Sequence, residues 1–165
     1  MLRIATFIAA SVAFFTNQAL ADDAVVPPLV AGYVSPKDNV RLSRLIASEV
    51  EYLDIFDSVE ELEYKTTKIT SKCLTSVSCL YKFAKSNEAN AVVAGKVTRK
   101  GKTLYFELRY ILKGKLIRKH KFSIENKTAV IADQMGGNIM MLITGKMPKS
   151  DEIDDSSVNL EDETP

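Results

Sequence analysis

Histidine and cysteine are scarce in this sequence of 165 residues, which has one His and two Cys. A zinc site needs a set of His, Cys or carboxylate ligands at suitable spacing, and the chain offers no such cluster. No G-x-S-x-G motif marks a nucleophile, and Gly136-Gly137 lacks the spacing and the preceding strand of a phosphate-binding loop. His120 stands alone among lysines, which is typical of a surface or edge position. The sequence therefore predicts no catalytic residue, no metal and no cofactor, with a small exported enzyme as the weakest alternative.

Long apolar runs are also rare. The one strong run, residues 4–15, is shorter than the ~20 residues that a membrane-spanning helix needs. It follows the basic start at Arg3 and precedes Ala19-Leu20-Ala21, the small-x-small pattern that a signal peptidase reads. We therefore expect residues 1–21 to be a signal peptide cleaved after Ala21, and a periplasmic or secreted mature chain without a transmembrane segment. The alternative is an uncleaved anchor. No Cys follows the run, so lipidation there is not expected.

The charges are unevenly distributed although the formal net charge is only +1. Residues 149–165 hold seven acids and one Lys, are poor in apolar residues and end in Pro, which predicts an acidic disordered tail. Residues 22–148 hold the other basic residues apart from Arg3, and we expect them to form one domain. A mildly basic body thus carries an acidic tail.

Residues 96–121 form the most unusual segment, with ten Lys or Arg and one acid, Glu107. One interpretation is a surface for anionic partners, such as lipid headgroups or an envelope polymer. The other is a solvated sheet face, where Lys also discourages strand aggregation. A third idea is that the acidic tail folds back and screens this segment. The candidate basic surface comprises Lys96, Arg99, Lys100, Lys102, Arg109, Lys119 and Lys121.

Hydrophobic periodicity predicts the order β-α-β-(α)-α-β-β-β-α. Glycine-centred turns at 100–102 and 113–115 indicate an antiparallel meander of three strands. The fold class is therefore α+β, a single domain with a mixed sheet of about five strands and helices packed mainly on one face. The expected elements are strands at 29–34 and 55–59, a helix from Ser35-Pro36, a helix ending near 86–87, strands from Ala91 to Ile124, and a helix over 128–144 capped by Gly145. Residues 22–28 read as a leader into the first strand, and Gly136-Gly137 as either a close packing contact or a kink.

Cys73 and Cys79 are expected to form a structural disulfide, because an exported chain reaches an oxidising compartment. In one straight helix, six residues would separate the two Cα atoms by about 9 Å, which exceeds the ~7 Å that a disulfide spans. A bond therefore requires Cys73 to lie in the loop before the helix, with Ser76 as a possible N-cap.

The run from Cys79 to Val97 resembles the bacterial TolB amino-terminal-like group. The similarity lies in the Cys-Leu helix, the Ala89-Asn90 loop, the Val-Val-x-Gly-x-Val strand at 92–97 and the hairpin at 101–108. It covers about residues 28–145. The group includes, more distantly, curli-secretion and penicillin-binding-protein-activator lipoproteins. The resemblance implies an α/β sandwich of the bacterial envelope that binds other proteins and is not an enzyme. Because this chain has no propeller after the domain and no lipobox Cys, neither the role of TolB nor any functional residue is carried over.

We therefore expect a soluble, non-enzymatic adaptor that binds another envelope protein. The alternative is a binder of an anionic polymer or lipid surface through Lys96–Lys121. Nucleic acid is not an expected partner, because one exposed aromatic residue, Tyr105, is too few for a stacking platform.

Overall fold

A computed structural model describes residues 22–63 and 69–147. The predicted signal peptide and the predicted acidic tail lie outside these residues. The elements, in chain order, are β1 (Ala24–Val26), β2 (Val30–Gly32), α1 (Pro36–Tyr52), β3 (Val59–Glu61), α2 (Ser71–Thr75), α3 (Val77–Ser86), β4 (Ala91–Lys100), β5 (Thr103–Leu112), β6 (Lys115–Glu125) and α4 (Thr128–Thr144).

The helices begin and end where short-range signals place them. The Ser35 hydroxyl accepts from the backbone N–H of Asp38 at 3.1 Å, and Pro36 is the first residue of α1. Gly145 ends α4 with a φ of 78°, a left-handed conformation that glycine adopts without a Cβ clash. The predicted start of α1 and the predicted cap of α4 are confirmed.

One mixed sheet forms the centre of the domain. Its strands run in the order β3-β1-β4-β5-β6, with β2 pairing with β4 further along that strand. β4, β5 and β6 are antiparallel, as predicted from their two turns, whereas β1 and β2 are parallel to β4. The α+β class and the meander are confirmed.

The described residues form six strands where about five were expected. β1 was interpreted as a leader, yet Val25 and Val26 are buried because this short strand lies between β3 and β4. The strand predicted at 55–59 begins only at Val59, because α1 is followed by Asp54 with a φ of 50° and then by an irregular segment. Both differences concern three-residue strands, which are too short to show a periodic pattern.

The two long helices lie on one face of the sheet, as predicted. They cover apolar side chains of β5, including Leu104, Phe106 and Leu108, and form the larger hydrophobic core with Ile46 and Ile139. The prediction placed the helices mainly on one face, and the structure adds that the two short helices, α2 and α3, lie on the other face. There a second core, separate from the first, is built of Val25, Leu74, Leu80, Ala84, Val92, Ala94 and Ile111, with Leu62, Ile69 and Ala89.

The disulfide between Cys73 and Cys79 is present, with a Cα–Cα distance of 5.3 Å. The placement of Cys73 in a loop was wrong, because Cys73 lies in the separate short helix α2. The break between α2 and α3 falls at Ser76, whose hydroxyl accepts from the N–H of Cys79 at 3.2 Å. Interrupting the helix at Ser76 brings the two cysteines together, so the predicted cap has the role assigned to it.

Gly136 packs closely against α1. A Cβ built on this glycine would lie 2.8 Å from Oε2 of Glu49, and Gly136 is inside the continuous helix α4. Of the two interpretations of the Gly136-Gly137 pair, the structure supports a contact at Gly136, with the carboxylate end of the Glu49 side chain. Glycine lowers helix propensity by about 1 kcal/mol per residue, and α4 nevertheless continues through both glycines.

Candidate binding surface

The strand register brings polar side chains onto one face of the meander. Lys96 of β4 pairs with Glu107 of β5, which pairs with Lys121 of β6. Because side chains alternate between faces along a strand, residues two positions away share the face of these three. We call this surface the open basic face. It comprises Lys96, Thr98, Lys100, Tyr105, Glu107, Arg109, Lys119, Lys121 and Ser123.

The helices of this side of the sheet cover only part of it. The second core extends along β4 to Ala94 and along β5 to Ile111, and the open basic face begins next to these residues. Lys96, Lys119 and Lys121 are exposed, and about half of Tyr105 (46%) is accessible to solvent. Among residues 22–63 and 69–147, no helix packs over the outer part of this face.

Glu107 is the centre of the charged cluster. Its carboxylate accepts from Nζ of Lys119 at 2.7 Å and lies 3.4 Å from Nζ of Lys96. Nη2 of Arg109 and Nζ of Lys121 lie 3.6 Å and 3.8 Å from the same carboxylate. Only 18% of the Glu107 side chain is exposed, so it is far less solvated than Lys96 and Lys121, whose side chains are more than half exposed.

The surrounding cations hold Glu107 ionised. The hydrogen bond from Lys119 lowers the pKa of Glu107 most, burial opposes this, and the charges of Lys96, Lys119 and Lys121 lower it further, to about 2. Four basic side chains thus surround one carboxylate. Glu107 compensates one of their charges, and the cluster keeps an excess of three positive charges at neutral pH.

Two depressions meet at this cluster. One, of about 340 Å³, lies along the outer part of the face and is lined by Lys96, Thr98, Tyr105, Glu107, Lys121 and Ser123, with the neighbouring Phe106 and Phe122. The other, of about 200 Å³, lies between α2 and the sheet, where Ser71 and Thr75 approach Arg109. Since Lys96 and Glu107 line both, the two depressions adjoin at the charged cluster beside α2.

The structure brings together most of the basic residues singled out in the sequence. Lys96, Arg109, Lys119 and Lys121 meet at Glu107, and Nζ of Lys100 lies 5.6 Å from the ring centroid of Tyr105 at one end of the face.

Arg99 and Lys102 do not join this group. By alternation Arg99 is on the opposite face, and its Nε donates to the carbonyl of Gly101 at 3.0 Å. Lys102 is in the hairpin turn itself. The central role of Glu107 was missed, although its being the lone acid among ten cations was the signal that could have identified it.

His120 has a structural environment. Nε2 of His120 is 3.0 Å from Oδ1 of Asn138 in α4, and its ring stacks on Phe122 with centroids 5.2 Å apart. This pair links β6 to α4 on the face opposite the basic cluster. Within the described ranges, no group of three His, Cys, Asp or Glu residues is arranged to hold a metal ion. Within the same ranges, no helix has the length and apolar character needed to cross a membrane.

Comparisons with known proteins add a fold likeness at low identity. No protein-family model matches the chain, and no curated protein does. The PelC dodecamer from Paraburkholderia phytofirmans matches with a TM-score of 0.49 and 13% identity, over 76% of this chain and 87% of that chain. Lipoprotein GNA1162 from Neisseria meningitidis matches with a TM-score of 0.47 and 12% identity, over 65% of this chain and 82% of that chain.

The LpoB C-terminal domain from Salmonella enterica matches with a TM-score of 0.39 and 12% identity, over 66% of this chain and 87% of that chain. The specific TolB-like assignment stays a prediction. At these TM-scores and identities the likenesses carry no functional argument, so function rests on this chain's own residues.

Proposed function

We propose that this chain is an exported, non-enzymatic adaptor that binds an acidic segment of another cell-envelope protein on its open basic face. The observation that carries the proposal is the convergence of four basic side chains on Glu107, at the edge of the helix cover. A surface with an excess of three positive charges attracts an acidic partner and fixes its orientation.

The shape of the surface favours a macromolecule over a small ligand. Small-molecule sites are concave and bury most of the ligand, whereas the open basic face is shallow and extends over three strands. Its side chains project from paired strands, so the backbone beneath them is fixed by the ladder between β4, β5 and β6. Binding on such a preorganised surface requires little reordering of the backbone.

Two features support an extracytoplasmic location. The disulfide between Cys73 and Cys79 belongs to the kind that persists in oxidising compartments, including the periplasm. The pattern of residues 1–21 is that of a cleavable signal peptide. We infer a periplasmic or secreted protein on these grounds.

The second candidate is binding of an anionic polymer or lipid surface through Lys96–Lys121. The contact of Lys100 with the half-exposed Tyr105 favours it, because such a pair offers both a charge and an aromatic ring to a headgroup or a sugar. An acidic protein remains the preferred partner. The ion pairs with Glu107 hold the four basic side chains at fixed positions, and such a fixed arrangement suits a partner whose own acidic groups have a defined spacing.

The test compares two probes, poly-L-glutamate for an acidic polypeptide and phosphatidylglycerol vesicles for a lipid surface. With the acids of 151–163 changed to Asn or Gln so that the tail cannot compete, the double variant Lys119→Gln/Lys121→Gln should weaken poly-L-glutamate binding about tenfold at low salt, since each lost charge contributes about 0.7 kcal/mol. The matched control Lys37→Gln/Lys82→Gln removes the same charge from exposed positions on α1 and α3 and should leave binding unchanged.

Glu107→Gln provides a test of opposite sign. Removing the carboxylate adds one positive charge to the face, so affinity for poly-L-glutamate should rise, whereas a merely structural role would leave it unchanged or lower it. Equal effects of the face variant and the control variant would overturn the proposal. Tighter binding to vesicles than to poly-L-glutamate at matched charge would favour the second candidate instead.

A further inference from the structure

The chain leaves α4 beside the edge strand β6. Nη1 of Arg118 donates to the carbonyls of Leu142 and Ile143, at 3.0 and 3.2 Å, in the last turn of the helix. Gly145 then ends the helix next to the Arg118 guanidinium. Residues that follow Met147, the last described residue, therefore start from the edge of the sheet that carries two lysines of the open basic face.

The open basic face begins one residue further along β6. Successive side chains of a strand point to opposite faces, so Lys119 and Arg118 project from opposite faces of the sheet. The partner strand of β6 is β5, and within the described residues no strand pairs with its outer edge. A segment that starts near Arg118 reaches Lys119 and Lys121 by passing over this single edge.

The remaining chain has the charge and the length for this path. Its acidic residues are Asp151, Glu152, Asp154, Asp155, Glu161, Asp162 and Glu163. The first is four residues beyond Met147 and can reach about 13 Å, and the last can reach about 50 Å. The whole of β6 is about 36 Å long, so the tether spans the face.

We propose that residues 151–163 occupy the open basic face of their own chain, and that a partner binds by displacing them. This inference rests on the function proposed above, because it takes the same surface as the binding site. A segment tethered this close has an effective concentration of about 1 mM, so a contact with a dissociation constant near 0.1 mM is occupied about nine-tenths of the time.

The first experiment uses the full chain with the seven acids of 151–163 changed to Asn or Gln. Affinity for poly-L-glutamate should increase about tenfold relative to the unchanged chain, since the competing segment no longer binds. The control combines the neutral tail with Lys119→Gln/Lys121→Gln, and there the gain should disappear. High salt should remove the difference between the unchanged chain and the neutral-tail variant.

The second experiment detects the contact directly by carbodiimide coupling of amines to carboxylates, followed by peptide mapping. Links from Lys119 or Lys121 to acids of 151–163 are expected within one chain, while Lys82 on α3 should give none. The ion pair of Lys119 with Glu107 at 2.7 Å serves as the internal positive control. Links that form only between isotopically distinct copies would overturn the proposal.

The two proposals fail in different ways. If the unchanged chain and the neutral-tail variant bind poly-L-glutamate equally well and no links to 151–163 form, the inference about the tail is wrong and the binding function stands. If neither chain binds the probe and no links form, both are wrong. Links without probe binding would contradict the proposed function while supporting the intramolecular contact.

Discussion

The two faces of β5 differ in what covers them. On one face Leu104, Phe106 and Leu108 are buried under α1 and α4. On the other, Tyr105 and Glu107 alternate with them along the same strand and remain partly open to solvent. The same strand thus presents a buried apolar face and a partly exposed charged face. The two faces differ in the length of the helices that pack on them.

The difference teaches where charge can be placed in a small domain. The two helices of 17 residues can cover a full sheet face, whereas α2 and α3 have 5 and 10 residues and cover only the end near Ala94 and Ile111. Beyond that end, ionised side chains keep contact with water and avoid most of the cost of burial. The open basic face is thus a consequence of incomplete helix cover.

The largest loss of stability should follow a substitution on the face of β5 that α1 and α4 cover. Leu108→Ala removes a fully buried side chain, and we expect a loss of about 3–4 kcal/mol of unfolding free energy from lost burial and the cavity left behind. Tyr105→Ala on the open face should cost less than about 1 kcal/mol. Urea unfolding at neutral pH measures both. Similar losses for the two variants would show that the faces are not energetically distinct.

The sequence predicted the parts of the fold that have a repeated pattern. Alternation in residues 104–112 and turns at Gly101 and Gly114 indicated the meander, and Ser35-Pro36 and Gly145 indicated the helix ends. Each of these signals is local and spans several residues. β1 was missed because three apolar residues fit a leader as well as a strand, and only pairing with β3 and β4 distinguishes them.

The candidate surface was predicted as a set of cations but not as a geometry. Ten basic residues in 26 positions identified the segment. Which of them meet depends on the register between β5 and β6, which sets Lys121 opposite Glu107 and Lys119 opposite Arg109. Arg118 is one of those ten but was not assigned to the candidate surface, and its guanidinium donates to a carbonyl at the end of α4. Register and helix docking are long-range features, so spacing along the chain could not supply them.

The second-largest loss of unfolding free energy should come from the short helices α2 and α3, which the disulfide joins. Replacing both cysteines, Cys73→Ser with Cys79→Ser, opens a loop of six residues, and we expect a loss of about 2 kcal/mol. Hydrogen exchange should show greater loss of protection at Leu80 and Ala84 of α3 than at Ile139 of α4, because the disulfide joins only α2 to α3. Reduction of the unchanged chain should have the same effect and should leave the double variant unaffected. Equal deprotection of α3 and α4 would mean that the two covers unfold together.

The smallest effect comes from the charge cluster and depends on pH. The pKa of Glu107 is lowered in the folded state to about 2 from an ordinary value of 4.5, so its ionisation stabilises the fold above about pH 4.5. This contribution is lost as the pH falls from 4.5 through 2. Because Lys96 and Lys121 are more than half exposed, solvent screening reduces the contribution to about 1–2 kcal/mol.

Glu107→Gln should therefore be less stable than the unchanged chain at pH 7 by about this amount, and equally stable near pH 2. Urea unfolding at pH 7, 4.5, 3 and 2 measures the difference. Glu125→Gln is the matched control, since its pair with Lys127 at 2.8 Å is largely exposed and should contribute less than about 0.5 kcal/mol at any pH. A Glu107→Gln deficit that persists at pH 2 would mean that the carboxylate stabilises the sheet by packing and not by its charge.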